Sequence, residues 1–226
     1  MIVWHVRGDM IPTTIVDNFF ETPTLIRDYA LSLEYSEPPS NYPGIRTKEL
    51  RVINPKLNEL LGKKLFSLFF NLNVEKVGWN IGAYFQLADR KYETGWAHID
   101  GDVCQFAGVV YLNPDAPLNG GTQMCRLKNM FEEDLSVRDE FYSGKEVDYN
   151  YYRSKRDEHN SNFETTLEVS NIFNRLFLYD GNSHHKENMF FGEGKDARLT
   201  LVFFGNFITY EQATPPLTRA KTRFTY

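Results

Sequence analysis

Hydrophobic spacing divides the chain into a helical first third and a strand-rich remainder. Ile15, Val16, Phe19 and Phe20 read as a short strand and loop within residues 11–20. Residues 24–33, just after Thr22 and Pro23, carry Leu25, Ile26, Tyr29 and Leu33 at helical spacing. A loop follows over residues 36–44, with Pro38, Pro39 and Pro43. A second helix is predicted to start at Asn54, which can cap it, with Pro55 in the first turn. Leu57, Leu60, Leu61, Leu65, Leu68 and Phe69 form its apolar stripe. After Asn73 the period drops to two. Val77, Trp79, Ile81, Ala83, Phe85 and Leu87 alternate with Gly78, Asn80, Gly82, Tyr84 and Gln86, a strand with two distinct faces. Residues 96–102, 106–112, 122–126, 175–179 and 198–207 also read as strands. Asn113-Pro114-Asp115, Asn119-Gly120-Gly121 and Asp180-Gly181 supply turn signals between them.

Helices followed by many strands predict an α+β fold built on a sandwich or jelly roll. Residues 130–169 break the pattern. They are polar and charged, with Tyr142, Tyr149, Tyr151 and Tyr152, and read as a helical or irregular insertion, either a lid or a surface excursion. With 226 residues and no repeat, the chain is expected to form one domain over residues 1–226.

Composition narrows the partners. Hydrophobic residues make up 42% of the chain and aromatics 15%, enough for a sizeable core and a lean toward sheet. The net charge is −5, and no dense basic face is evident. Arg153, Lys155 and Arg156 run straight into Asp157 and Glu158, and Arg219, Lys221 and Arg223 lie near the end of the chain. Both stretches read as solvated surface, so no nucleic-acid partner is expected. Residues 1–10 carry His5, Arg7 and Asp9 and do not read as a signal peptide. No apolar run approaches a membrane span of about 18 residues. Cys104 and Cys125 lie in or beside strands and are expected to be buried thiols, which suits a reducing cytoplasm.

The candidate chemistry begins at His98-Ile99-Asp100. On a strand, alternation puts His98 and Asp100 on one face. A neutral imidazole and a carboxylate placed this way can reach one ion, and a third ligand from a distant strand would complete a two-His, one-carboxylate set. The apolar strand over residues 176–180 ends in a turn followed by Ser183, His184 and His185. Either His could be that third ligand, or both could be surface residues. Further on, Arg198 and Thr200 share one face of an otherwise apolar strand. A guanidinium pointing inward there must find an anion, and a carboxylate suits it bidentately.

These pieces, in this order, resemble the 2-oxoglutarate- and Fe(II)-dependent oxygenase superfamily. The segments 106–113, 120–122, 173–176 and 191–192 resemble prolyl-4-hydroxylase-type members, especially small uncharacterised ones encoded by bacteriophages. Val16-Asp17-Asn18-Phe19 and Pro43-Gly44-Ile45-Arg46-Thr47 resemble the N-terminal part of that group. The resemblance implies a double-stranded β-helix with the N-terminal helices on its outer face. It implies Fe(II) as cofactor and 2-oxoglutarate as co-substrate. His98 and Asp100 match the proximal ligands, and counting on from Asp180 favours His185 over His184 as the distal one. Arg198 matches the anchor of the 2-oxoglutarate distal carboxylate, and Thr200 the hydroxyl that assists it. Tyr84 and Tyr111 are further candidates for co-substrate contact, with core or rim packing as their plainer role. Asp100 stands where related halogenases have a small residue, so a hydroxylase-like reaction releasing succinate and CO₂ is expected. The substrate would be peptidyl or a small molecule, in the host cytoplasm if the chain is phage-encoded, and the sequence sets neither its identity nor the oligomeric state. Two other readings stay open: a non-catalytic jelly-roll module with a vestigial metal site, and a cupin-like metalloenzyme that uses no 2-oxoglutarate.

Overall fold

The structure is a computed structural model that describes residues 12–36, 42–100, 104–132, 134–210, 213–214 and 216, with the backbone alone at 206–210. The readings made on residues 1–10, on Pro38 and Pro39, on residues 101–102 and on the basic stretch at 219–223 lie outside the described residues.

The elements in chain order are β1 (Thr14–Val16), α1 (Pro23–Ser32), β2 (Ile45–Arg46), α2 (Leu50–Ile53), α3 (Pro55–Ser67), β3 (Val77–Ala88), β4 (Phe106–Tyr111) and β5 (Thr122–Leu127). Then come α4 (Ser136–Tyr142), α5 (Tyr149–Asn160), β6 (Phe163–Val169), β7 (Leu176–Asp180), β8 (His185–Glu187) and β9 (Arg198–Tyr210). Six strands pair in the order β1-β7-β4-β9-β3-β2, and three more in the order β6-β5-β8. The ladders are antiparallel throughout. Helices with two antiparallel sheets make an α+β fold. Among the described residues no helix is long and apolar enough to cross a membrane.

Strand alternation gives the large sheet two different faces. Ile81, Ala83 and Phe85 of β3, Leu199, Leu201 and Phe203 of β9, and Leu176 and Leu178 of β7 join one buried cluster with Leu57, Leu61, Leu65 and Phe66 of α3. Phe66 stacks on Trp79 at 4.8 Å, which seats the helix on the sheet. The cap expected at Asn54 is present, with Leu57 N–H donating to Asn54 Oδ1 at 3.1 Å. Leu60 and Leu68, expected in the α3 stripe, are exposed. Phe66, outside the expected stripe, takes the contact. The opposite sheet face buries Ala107, Val109 and Tyr111 of β4, Phe177 and Tyr179 of β7 and Val202 of β9 against Met124 of β5. The space between the two sheets is therefore lined by the odd-numbered residues of β4 and β7 and the even-numbered residues of β9. Gly205 of β9 is needed where it stands, because a Cβ there would lie 2.0 Å from the Phe106 ring.

Two further expectations change. Residues 96–100 form a single bridge, His98 to His185, instead of a strand. Gly95 N–H donates to the Glu187 carbonyl and His98 N–H to the His185 carbonyl. Three residues on one side therefore span two on the other, and a regular ladder cannot continue. The polar insertion is helical only in α4 and α5; its last seven residues are β6, paired along β5. Finally, Cys104 and Cys125 are both free and buried, as expected.

Candidate metal centre

The bridge between His98 and His185 brings together residues 87 positions apart. The backbone bonds are reciprocal, His98 N–H to the His185 carbonyl at 3.0 Å and His185 N–H to the His98 carbonyl at 2.9 Å. Asp100 N–H donates to the Gly181 carbonyl at 3.0 Å, which holds the next turn of the segment down. His98, Asp100 and His185 then each offer one donor atom, all within 4.8 Å of one another. Asp100 Oδ1 lies 3.9 Å from His98 Nε2, and Oδ2 lies 3.5 Å from His185 Nε2.

The other imidazole nitrogens are already engaged. His98 Nδ1 is 2.8 Å from the Trp96 carbonyl, and His185 Nδ1 is 3.0 Å from the Ser183 carbonyl. A carbonyl only accepts, so each Nδ1 carries the proton and each Nε2 keeps its lone pair toward the group. Burial, reinforced by the neighbouring His98, holds the His185 pKa below the usual imidazole value, so the ring stays neutral. Tyr179 packs on its other side, with ring centroids 4.5 Å apart. His184 faces away. Its ring lies 5.0 Å from Phe163, and its carbonyl accepts from Cys125 N–H. Alternation along β8 accounts for the difference, and it also puts Glu187 on the His185 face.

Inward from the three residues is a cavity walled by Tyr179, Val109 and Val202, with Arg198 at its end. Arg198 is buried; its Nε donates to the Gly120 carbonyl at 2.9 Å, while its buried Nη2 has no hydrogen-bond partner among the described residues. Thr200, next on the same face of β9, is fully buried, and its Oγ1 has no hydrogen-bond partner among the described residues. Tyr111 stands behind the wall. Its hydroxyl donates to Thr122 Oγ1 at 2.8 Å, and its ring lies 5.6 Å from the Arg198 guanidinium. Thr122, not Tyr111, lines the cavity. Tyr84 lies farther out, in a cleft it shares with Trp96, Tyr142 and Arg138. Arg138 and Tyr142 belong to α4, so the insertion forms part of the cleft wall.

Sequence reasoning missed two charged residues here. Arg46 and Glu187 line both the inner cavity and the outer cleft. Burial pulls the Arg46 guanidinium down to about 10, against the opposing pull of Tyr42, Glu187 and Asp100. For Glu187, burial raises the carboxyl, but Arg198 and then His98 outweigh it, and the net direction is down.

The insertion also carries the support for the His98 segment. His159 of α5 contacts the Ala97 carbonyl through Nε2 at 2.7 Å. Asn160 Oδ1 accepts from Ala97 N–H at 2.8 Å, and its Nδ2 donates to the Gly95 carbonyl at 2.9 Å. Arg156 reaches the Tyr92 carbonyl at 3.2 Å and Glu93 at 2.9 Å.

The model of one protein family, a family of unknown function (DUF6445), matches residues 2–204. The chain belongs to this family. No curated protein matches this DUF6445 chain by sequence. Among solved structures it is similar to HygX from Streptomyces hygroscopicus with nickel and 2-oxoglutarate bound. That match has 13% identity, covers 86% of this chain and 82% of that one, and has a TM-score of 0.51. The HygX structure that also holds hygromycin B gives 13% identity, the same coverage and a TM-score of 0.52. A prolyl hydroxylase from Trichoplax adhaerens, in complex with a peptide fragment, gives 12% identity over 86% of this chain and 83% of that one, with a TM-score of 0.49. At such identities the HygX likeness establishes that this DUF6445 chain shares the fold.

Proposed function

We propose that this chain is an Fe(II)- and 2-oxoglutarate-dependent oxygenase that hydroxylates a small-molecule or peptidyl substrate. The observation that carries the reading is one cavity with two features. The His98, Asp100 and His185 donor set stands on its wall, and so does the buried Arg198, whose Nη2 has no hydrogen-bond partner among the described residues. Two imidazoles and a carboxylate suit Fe(II) and leave one side of an octahedral ion open. His98 and His185 would hold it through Nε2, and Asp100 through a carboxylate oxygen. Arg198 would pair with the distal carboxylate of 2-oxoglutarate, with Thr200 and Tyr111 supporting it from behind. Fold likeness to HygX, whose structures hold nickel and 2-oxoglutarate, supports the same use of the pocket.

Iron with 2-oxoglutarate supplies dioxygen activation, so that the keto acid is oxidised to succinate and CO₂ while a substrate C–H becomes C–OH. The chain's own part is positional. The Trp96 and Ser183 carbonyls fix the tautomers of His98 and His185. Val109, Val202 and Phe204 put apolar surface beside them in a cavity whose lining is otherwise largely polar. Asp100, a carboxylate at the proximal ligand position, favours hydroxylation over halogenation. In this reading the two sheets are the halves of a double-stranded β-helix, the N-terminal helices cover its outer face, and the whole chain is one oxygenase domain.

Anaerobic protein given Fe(II) and 2-oxoglutarate is expected to develop a weak visible charge-transfer band. The absence of a band, with metal affinity unchanged in His98→Ala, overturns the assignment. A vestigial site would bind metal yet release no succinate from 2-oxoglutarate. A cupin-like metalloenzyme would be indifferent to the loss of Arg198.

A further inference from the structure

Five residues line both the inner cavity and the outer cleft: Arg46, His98, Asp100, Glu187 and Phe204. They form the neck between the two spaces. Two of them belong to the donor set and one is a ring. The other two are opposite charges that make no salt bridge with a described residue, although Arg46 feels the field of Glu187, and Glu187 that of Arg198. Among the described residues no carboxylate comes within 4.0 Å of the Arg46 guanidinium, and no cationic group comes within 4.0 Å of the Glu187 carboxylate. The other cation of the cleft, Arg138, is already neutralised by Asp139 at 2.7 Å.

Both side chains are held in place. Arg46 Nε donates to Gln86 Oε1 at 2.9 Å, Gln86 Nε2 donates to the Pro43 carbonyl at 2.7 Å, and the Tyr42 ring lies 3.7 Å from the guanidinium. That leaves the two Nη groups of Arg46 without a hydrogen bond to a described residue. The Glu187 carboxylate rests on Gly95, where a Cβ would lie 2.2 Å from Oε2. The backbone on either side is pinned, since Gly95 N–H and Thr94 Oγ1 both donate to the Glu187 carbonyl, at 2.9 and 2.8 Å. Half-buried charges without partners are costly to keep, and the cost is recovered when a ligand completes them. A purely anionic ligand would meet Glu187, and a purely cationic one would meet Arg46. A ligand carrying both charges satisfies the neck.

We propose that the primary substrate is a small zwitterion of the free amino-acid type, its carboxylate on Arg46 and its ammonium on Glu187. Its side chain would lie along Tyr84, Trp96 and Tyr142 of the outer cleft, which suits an apolar or aromatic group. This deepens the oxygenase reading and rests on it, since that reading makes the cleft beside His98 and Asp100 a substrate site.

The test is calorimetric titration of the protein loaded with Ni(II) and 2-oxoglutarate. The probes are L-leucine, L-phenylalanine, L-tyrosine and L-tryptophan, each with its primary amide and its N-acetyl derivative. At least one free amino acid is expected to bind at least about tenfold more tightly than both of its derivatives, the worth of one good charge pair. R46Q is expected to erase the preference over the amide, and E187Q the preference over the N-acetyl form. These are opposite losses that general misfolding would not produce. If R46Q does not fold, judged by thermal melting, R46K keeps the charge and should keep a reduced preference. Equal binding of free acid and derivatives, or no binding by any free acid, overturns the proposal. The preceding titration with 2-oxoglutarate separates the two failures. If 2-oxoglutarate binds and no zwitterion does, only the substrate inference falls. If 2-oxoglutarate does not bind, the oxygenase reading falls and takes the inference with it.

Discussion

At the residue scale, the site depends on which nitrogen of each imidazole is committed elsewhere. Both Nδ1 atoms point at backbone carbonyls, so His98 and His185 present the same nitrogen to Asp100. His185→Ala is therefore expected to lower metal affinity at least about 100-fold, since a ligand atom is lost together with its orientation. His184→Ala should leave metal affinity within about threefold, because its ring packs on Phe163; metal titration by calorimetry checks both. Arg198→Ala should weaken 2-oxoglutarate binding by about 2–5 kcal/mol, the scale for truncating one side of a buried charge pair, read as a rise in the apparent Kd. Arg198 was legible because alternation along β9 fixes which residues share a face, whereas His98 and Asp100 were legible as a His-x-Asp pair even though the strand expected under them is a single bridge. His185 was not separable from His184 by residue chemistry, since β8 is only three residues long and follows a turn. Arg46 was legible only within the segment Pro43-Gly44-Ile45-Arg46-Thr47, and its place in the site was hidden for the same reason. Its strand has two residues, too few to show a period.

Elements rather than single side chains decide how firmly the donor set is held. The segment carrying His98 has one bridge to β8 and takes the rest of its support from α5. Asn160→Ala removes two of those hydrogen bonds and is expected to reduce metal affinity roughly tenfold, the usual effect of losing support behind a ligand. Thermal melting in the absence of metal should move little by comparison. The same dependence explains why residues 130–169 could be read from sequence only as lid or excursion. Arg156, His159 and Asn160 sit on a polar helix, and apart from Glu93 their partners in residues 92–97 are backbone atoms that leave no mark in a hydrophobic pattern. β6 escaped notice because it is an edge strand. Residues 165–168 are exposed, so the strand lacks the alternating apolar face that betrays β3.

For the whole molecule, the division into a helical start and a strand-rich remainder was readable because the period drops to two after Asn73, and only residues 130–169 interrupt it. The pairing order β1-β7-β4-β9-β3-β2 was not, because it joins strands distant in the chain and local pattern carries no record of partners. The helical layer and the large sheet share the main core, in which Phe66 touches both Trp79 and Phe106. Phe66→Ala should destabilise the fold by about 3–5 kcal/mol, the usual cost of emptying a buried aromatic position, measured by urea denaturation.

Strand β9 carries Leu199, Leu201 and Phe203 toward the helices and Arg198, Thr200 and Val202 toward the space between the sheets. Its two sets of residues are interleaved one by one, so they have no independent fates. A frame error of a single residue on this strand would bury the guanidinium among leucines and turn the leucines into the cavity. Such a chain could not settle into a stable molecule with a dead centre. The strand acts as its own proofreader, and copies that fold carry Arg198 at the end of the cavity.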